Sequence, residues 1–257
     1  MDVIGRGASR RAVLAGLAAT PLAWSAAARE VTRDVPYVPT PQPVVDAMLR
    51  LGGAKAGDFH VDLGCGDGRI VVTGARDFGT RGLGVDIDPR RIAEARFLAE
   101  RERVQERVEF RRADLFQTDI SAATLLTLYL LPAVNMRLRP TILARLKPGT
   151  RVVSHDFDMG DWPPDRTERL ADEGSTIYLW RVPANVAGLW RVTEPHGASH
   201  DVRLEQRFQR LWGDALRDGR VEGAAVRFTT AGGRAFFGRA EGEAMAGEGW
   251  RAVRVGD

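Results

Sequence analysis

The sequence contains one cysteine, Cys65, and only two lysines, Lys55 and Lys147, among its 257 residues. A single cysteine cannot form an intrachain disulfide and cannot supply a cysteine-based zinc site, so we expect no resident metal. Because lysine is scarce, arginine carries almost all of the positive charge. We interpret this as a compositional bias rather than as a sign of phosphate recognition.

Excess charge is small as well, since the formal net charge is +3. Residues 1–28 contain Arg6, Arg10 and Arg11 against Asp2, so they hold 3 − 1 = 2 of these charges and the remainder carries about +1. A large nucleic-acid-binding surface needs a clustered basic stripe. The balance therefore predicts a partner other than nucleic acid.

The sequence has no apolar run that matches the ~20 strongly apolar residues of a membrane-spanning helix. The uncharged stretch 12–28 is shorter, rich in alanine and interrupted by Pro21. It follows the pair Arg10-Arg11 and ends in three alanines, the pattern of a twin-arginine export signal with a cleavage site. We therefore expect residues 1–28 to direct the chain to the periplasm, without a permanent membrane span. A disordered or misassigned N-terminus, and with it a cytoplasmic protein, is the alternative.

After a proline-rich extended segment, residues 36–183 alternate strand and helix patterns, which predicts a doubly wound α/β domain with a mostly parallel sheet. Helices are expected over 44–51, 68–78, 88–103 and 132–146, the last broken at Pro140. Strands are expected over 59–63, 82–86, 108–110, 151–154 and 177–182, with a central buried strand inside the apolar run 123–131.

Residues 184–257 show a different pattern, short strand-like runs separated by turns rich in glycine and aspartate. Residues 202–208 alternate apolar or amide side chains with charged ones, as in an antiparallel sheet with one solvated face. Turns are expected at 217–219 and 231–233. The sequence thus predicts a small C-terminal antiparallel β domain.

The stretch Val61-Asp-Leu-Gly-Cys-Gly-Asp-Gly-Arg69 places a glycine-rich turn between the first strand and the helix that follows. Such a turn lets backbone N–H groups approach a nucleotide closely. Its G-x-G-x-G pattern differs from the G-x-G-x-x-G of dehydrogenases and includes Asp67, with Asp62 two residues upstream of the first glycine. Negative charge there would repel a pyrophosphate but suits the sulfonium and ammonium groups of S-adenosylmethionine (SAM).

Two further carboxylates fall at strand ends. Asp86 ends the second strand, 22 residues after Gly64, and can accept hydrogen bonds from the ribose hydroxyls. Asp114 follows the third strand and can meet the adenine amino group. Because the carboxyl ends of parallel strands share one edge of a sheet, these acids and the glycine turn together predict a SAM site.

Segments 61–69, 84–88 and 114–115 resemble the motifs of class I SAM-dependent methyltransferases, and the resemblance covers residues 37–182. Tyr37-Val-Pro-Thr-Pro41, Thr127-Leu-Tyr-Leu-Leu-Pro132 and Ser154-His-Asp-Phe157 are more specifically similar to the ATP-synthase c-subunit type of protein-lysine N-methyltransferase and its bacterial relatives. The resemblance implies that Tyr37 and Thr40 close the site and that Tyr129 lies beside the transferred methyl group. The expected cofactor-binding residues are Tyr37, Thr40, Asp62, Gly64, Cys65, Gly66, Asp67, Asp86, Ile87, Asp114, Leu115 and Tyr129.

The acceptor is less determined by the sequence than the cofactor. Leu130-Leu131-Pro132 stands where enzymes that methylate nucleobases or glutamine have an Asn-Pro-Pro-Tyr type of sequence, which favours a protein lysine. A lysine must lose a proton before it attacks, and His155 or Asp156 is the candidate acceptor, although a structural role for His155 is the alternative. A small-molecule acceptor, or a SAM-binding protein without catalysis, are the rival hypotheses.

Overall fold

The computed structural model describes residues 37–214 and 216–255, so the predicted export signal at residues 1–28 lies outside the described part. From Gln42 to His155 the chain alternates helices and strands, and two further strands follow up to Arg181. The helices of this part are α1 (Gln42–Leu51), α2 (Arg69–Phe78), α3 (Pro89–Arg101) and α4 (Pro132–Arg145). Its strands are β1 (Phe59–Leu63), β2 (Arg81–Asp86), β3 (Val108–Arg112), β4 (Leu125–Leu128), β5 (Arg151–His155), β6 (Arg166–Leu170) and β7 (Ser175–Arg181).

These seven strands form one sheet in the order β3-β2-β1-β4-β5-β7-β6. Strands β1 to β5 are parallel to one another, whereas β7 is antiparallel to β5 and to β6. Alternate residues of β4 and β5 pack into different apolar clusters, with Leu126 and Val152 beside α4 and with Leu125 and Val153 beside α1. Helices on both faces therefore bury the sheet, and the predicted doubly wound α/β fold is confirmed.

Helix α4 corrects one expectation, because it runs from Pro132 to Arg145 without a break at Pro140. Proline at this position removes the hydrogen bond that would reach the carbonyl of Met136. Met136 is exposed, and water can satisfy that carbonyl. The helix also buries Leu138 and Ile142 on either side of the proline, and this packing holds both halves against the sheet.

The C-terminal part of the chain, from Gly188 to Arg254, forms a closed barrel of eight antiparallel strands. They are β8 (Gly188–Thr193), β9 (Ser199–Arg207), β10 (Arg210–Trp212), β11 (Leu216–Glu222), β12 (Ala225–Thr230), β13 (Ala235–Glu241), β14 (Ala244–Gly247) and β15 (Trp250–Arg254). Large side chains such as Trp190, Phe228, Phe236 and Trp250 pack together inside it. The predicted antiparallel β region is confirmed, and its interior is an apolar core.

The prediction of a turn at 217–219 was wrong, because these residues lie inside β11. The pairing of β11 with β12 shifts register between Leu216 and Asp218, which marks a local irregularity. A Cβ atom on Gly219 would lie 2.6 Å from Cβ of Leu211. Glycine is therefore present because two strands approach closely, and a turn signal and a close-packing signal look alike in sequence.

The barrel joins the sheet through a buried polar contact between Trp162 and Gln209. The indole Nε1 of Trp162 donates to Oε1 of Gln209 at 3.1 Å, and Nε2 of Gln209 donates to the carbonyl of Pro163 at 2.9 Å. The ring of Phe208 stacks on Trp162 with centroids 5.8 Å apart. Trp162 follows β5, so the barrel restrains the segment that leaves the carboxyl end of that strand.

We expect the Gln209→Ala variant to be destabilised by about 1–3 kcal/mol, because it leaves the buried Trp162 N–H without an acceptor. Urea unfolding followed by tryptophan fluorescence measures this. Gln206→Ala is the comparison variant. Gln206 donates to the backbone carbonyls of Ala184 and Phe208, so its replacement leaves the Trp162–Gln209 contact in place. An unfolding free energy equal to that of the unmodified protein would contradict a structural role for the Trp162–Gln209 contact.

Within residues 37–214 and 216–255, no helix combines the length and the apolar composition that crossing a membrane requires.

Candidate functional site

One cavity opens at the carboxyl ends of β1, β2 and β4, and all twelve predicted cofactor-binding residues line it. The space, including its open mouth, measures about 910 Å³. Asp62, Asp86 and Asp114, which come from three different strand ends, share this one cavity. Because this volume includes open solvent, the site is an open cleft, in which carboxylates from three strand ends face the glycine turn.

The glycine turn forms one wall of this cavity. Gly64 and Gly66 have φ values of +77° and +53°, a backbone conformation that side chains rarely adopt. A Cβ atom on Gly66 would also lie 2.5 Å from the ring of Tyr37. Both the backbone conformation and the space above the turn therefore require glycine. Cys65 lines the cavity and also packs into the cluster between α2 and α3, and burial raises the pKa of its thiol.

Asp86 is held in place by two backbone N–H groups. Its Oδ2 accepts from Gly66 N at 3.0 Å and its Oδ1 accepts from Asp88 N at 2.8 Å. The carboxylate thus ties the glycine turn to the start of α3, and each oxygen keeps a lone pair for a hydroxyl group in the cavity. This is the geometry that recognition of ribose hydroxyls requires.

Asp114 is fixed in a similar manner farther along the same edge. Its Oδ1 accepts from Phe116 N at 2.8 Å, and its Oδ2 accepts from Gln117 Nε2 at 3.2 Å. Leu115 follows and also lines the cavity. A rigid carboxylate beside an apolar side chain suits an adenine ring and its amino group.

Asp62 is the buried acid of the site, with only 1% of its surface exposed. Its Oδ1 accepts from Thr127 Oγ1 at 2.6 Å, whereas its Oδ2 has no hydrogen-bond partner. Burial raises the pKa of Asp62 to about 7, although the bond from Thr127 opposes this. An unpaired buried carboxylate oxygen that lines the cavity fits a cationic group of the cofactor.

Asp62 is oriented by a buried chain that continues to His60. His60 Nε2 lies 2.8 Å from Thr127 Oγ1. When ionised, the carboxylate can only accept, so Thr127 donates to Asp62 and must itself accept from the N–H of His60. Burial lowers the pKa of His60 to about 4, so the ring is neutral and its Nε2 carries the hydrogen.

Asp67 lines the cavity and is paired with an arginine. Arg69 Nη2 lies 2.6 Å from Asp67 Oδ2, and Arg69 Nε donates to both carboxylate oxygens. Burial opposes ionisation of Asp67, but the bonds from Arg69 outweigh it and lower the pKa of this carboxyl. Arg69 therefore offsets the charge of Asp67, whereas Asp62, Asp86 and Asp114 line the same cavity without an arginine partner among the ion pairs of the described residues.

Residues 37–40, which we call the strap, cross the glycine turn and cover one side of the cavity. The Arg91 guanidinium lies 4.2 Å from the ring centroid of Tyr37, and Arg69 Nη1 donates to the carbonyl of Thr40 at 2.9 Å. Both arginines line the cavity and were missed in the sequence. Arg69 stands inside the glycine motif, but no sequence pattern marks Arg91.

The three predicted catalytic residues do not share one position. Tyr129 lines the cavity, whereas His155 and Asp156 do not. The His155 ring lies behind Tyr129, with centroids 3.9 Å apart, and Asp156 Oδ1 accepts from Thr176 N at 2.8 Å. Burial lowers the pKa of His155 despite the opposing charge of Asp156. The placement therefore gives neither residue direct access to an acceptor beside Tyr129.

Comparison with known proteins places this site in a family. The model of the ANTKMT methyltransferase domain matches residues 62–166. A protein-lysine N-methyltransferase of Saccharolobus islandicus is 44% identical over 149 residues, which cover 57% of this chain and 92% of the relative. A Xenopus laevis enzyme, the lysine N-methyltransferase of the ATP-synthase c-subunit, is 30% identical over 63% of this chain and 71% of the relative.

A solved structure agrees with the cofactor assignment. The structure of an RNA methyltransferase from Salinibacter ruber, in complex with S-adenosyl-L-homocysteine, is 55% identical. It aligns with a TM-score of 0.56 over 58% of this chain and 96% of that one. The cavity, with its paired glycines and unpaired Asp62 oxygen, fits the same cofactor class. The chain belongs to the ANTKMT methyltransferase family and is a SAM-dependent methyltransferase.

Proposed function

We propose that this protein transfers a methyl group from SAM to the side-chain nitrogen of a protein lysine. The names of the relatives from Saccharolobus islandicus and Xenopus laevis support a lysine acceptor. The observation that carries the proposal is the wall after β4, where Tyr129 and Leu130 line the cavity. Neither side chain offers the amide and ring pair that would hold a planar nucleobase or glutamine amide, whereas an aliphatic lysine stem fits an aromatic and apolar wall.

SAM, when bound, supplies a methyl group on a positively charged sulfur. A lysine amine that has first lost a proton to solvent would accept this methyl group, and S-adenosylhomocysteine would be the other product. The protein contributes alignment, which can supply ~7–11 kcal/mol of such a barrier. Asp86 and Asp114 would hold the nucleoside end of SAM, and Asp62 would hold its cationic end. Tyr129 and Leu130 would exclude water from the lysine stem, which would favour the neutral amine.

Transfer of tritiated methyl from SAM to cell fractions tests the proposal. We expect label in protein, released as methyl-lysine after acid hydrolysis, and loss of that label with the Asp86→Ala variant. Mass spectrometry of the labelled protein then identifies the modified lysine. Label confined to small molecules would contradict a protein acceptor.

RNA is the second candidate acceptor, because the 55% identical structure from Salinibacter ruber carries the name of an RNA methyltransferase. A formal net charge of only +3 disfavours extended contact with a phosphate backbone. Digestion of the labelled fraction separates the two candidates. Label that survives ribonuclease and becomes soluble with protease supports lysine, and the reverse result supports RNA.

We further propose that residues 1–28 export the protein to the periplasm by the twin-arginine route. The pair Arg10-Arg11, the uncharged stretch after it and the run Ala26–Ala28 support this. Replacing both arginines with lysine keeps the charge but removes the pair. We expect that variant to stay in the cytoplasmic fraction, whereas equal distribution of both forms would contradict export by this route.

A further inference from the structure

A buried histidine stands between the strap and the wall of the methyl-transfer cavity. His155 ends β5 and has 1% of its surface exposed. Its ring lies against Tyr129 at a centroid distance of 3.9 Å and an interplanar angle of 30°. Tyr129 lines the cavity and His155 does not, so any effect of His155 on the reaction passes through its neighbours.

The two ring nitrogens of His155 contact different elements. Nδ1 lies 3.4 Å from Oγ1 of Thr40, a buried strap residue that lines the cavity. Nε2 lies 3.0 Å from Oγ of Ser175 in β7 and 3.2 Å from Oδ2 of Asp156. One side chain thus connects the strap, the end of β4 and the start of β7.

The partners of Nε2 determine which nitrogen carries the hydrogen. Ser175 Oγ donates to the carbonyl of Glu173 at 3.4 Å, and an ionised Asp156 can only accept. Both therefore accept from an N–H at Nε2. The bare Nδ1 then accepts from the hydroxyl of Thr40, a directional bond that holds the strap side chain toward β5.

We propose that His155 is a positioning residue for methyl transfer, which fixes the Thr40 side chain over the cofactor and the Tyr129 ring beside the acceptor. It does not accept the proton of the lysine. The bond between Arg69 and the Thr40 carbonyl holds the strap backbone, and His155 holds the side chain that faces the cavity. The inference rests on the SAM-binding site but not on the identity of the acceptor.

Two substitutions separate the two nitrogens. His155→Gln places an amide near the position of Nε2 and leaves Thr40 without its acceptor, whereas His155→Asn places an oxygen near the position of Nδ1 and retains it. Thr40→Val removes the hydroxyl at constant shape, and Thr40→Ser keeps it. We expect His155→Gln and Thr40→Val each to raise the SAM dissociation constant by about three- to tenfold, the effect of one buried hydrogen bond.

The same experiment, isothermal titration with SAM, tests whether the two residues act together. We expect the double variant Thr40→Val/His155→Gln to bind no more weakly than either single variant, and His155→Asn and Thr40→Ser to bind within about twofold of the unmodified protein. The matched control is Thr150→Val at the opposite edge of the sheet, which removes a buried hydroxyl that donates to the Ala123 carbonyl at 3.1 Å. It should lower the melting temperature and leave SAM affinity unchanged.

Additive effects in the double variant, or unchanged SAM affinity in both Thr40→Val and His155→Gln, would overturn the proposal. A proton-accepting role predicts a different result, a loss of more than about 100-fold in methyl transfer for both His155 variants with SAM affinity unchanged. If His155→Gln does not fold, the comparison of Thr40→Val with Thr40→Ser still decides whether the hydroxyl contributes. SAM binding is measured without an acceptor, so failure of the lysine proposal leaves this test intact.

Discussion

Replacing Asp86 with alanine should weaken SAM binding by about 100-fold or more. The side chain contributes at two levels, since it accepts from the N–H groups of Gly66 and Asp88 and offers its remaining lone pairs to the ribose hydroxyls. Hydrogen bonds to a charged group are worth ~1.5–3 kcal/mol each, and two such bonds correspond to at least two powers of ten in affinity. Isothermal titration with SAM and with S-adenosylhomocysteine measures the loss.

The two ligands make this test specific for the nucleoside end of the site. Asp86→Ala should weaken both ligands by a similar factor, because they share the ribose and differ only in the methyl group and the charge at sulfur. Glu109→Ala is the matched control, since Glu109 is an exposed carboxylate on the neighbouring β3 that pairs with Arg111. A loss confined to SAM, or an equal loss in Glu109→Ala, would contradict the placement of the ribose at Asp86.

The cofactor-binding residues could be predicted from the sequence because of a property of parallel sheets. Asp62 lies in β1, Asp86 ends β2 and Asp114 follows β3, so a correct strand order alone brings the three acids to one edge. The glycine-rich turn between β1 and α2 was predicted in the same way, and the structure adds that Gly64 and Gly66 have positive φ values. Local patterns and topology determine these positions.

Contacts between particular side chains could not be predicted from the sequence in this way. From the sequence we interpreted Asp67 as an unpaired acid, but in the structure Arg69, two residues later, forms an ion pair with it. The sequence shows His155 as a candidate base, but the ring lies behind Tyr129 and contacts Thr40, 115 residues earlier in the chain. Side-chain direction and long-range contact decide both cases, and neither leaves a periodic signal.

The sequence also did not predict how the barrel is placed relative to the cofactor cavity. No barrel residue in the described ranges lines the cofactor cavity, and the barrel contacts the sheet through Trp162, Asp165 and the chain near Gly149. Gly149 precedes β5 and Asp165 precedes β6, so these contacts lie toward the amino ends of the strands, away from the glycine turn. Within the described residues the barrel therefore supplies no wall of the cavity, and residues 156–165 are the segment that connects Asp156 to the Trp162–Gln209 contact.

The affinity for SAM should fall about tenfold between pH 8 and pH 6, because Asp62 binds a proton in that range. Burial raises the pKa of Asp62 to about 7 in the protein without ligand, and its unpaired oxygen attracts the cationic cofactor only when ionised. Each pH unit below the pKa then costs a factor of about ten, and binding at pH 6 should release about 0.9 proton. Titration calorimetry in two buffers of different ionisation enthalpy measures both quantities.

The Asp62→Asn variant provides the control and fixes the sign of the effect on stability. A carboxyl whose pKa is raised on folding opposes folding most strongly above pH 7, and this cost is relieved as the pH falls through the pKa toward 4. The asparagine variant should therefore be more stable than the unmodified protein at pH 8 in the absence of SAM, as measured by its melting temperature. It should bind SAM more weakly and with an affinity that is flat from pH 6 to pH 8. If the unmodified protein shows an equally flat profile, or if the variant releases the same number of protons, the ionisable group that meets the cofactor is not Asp62.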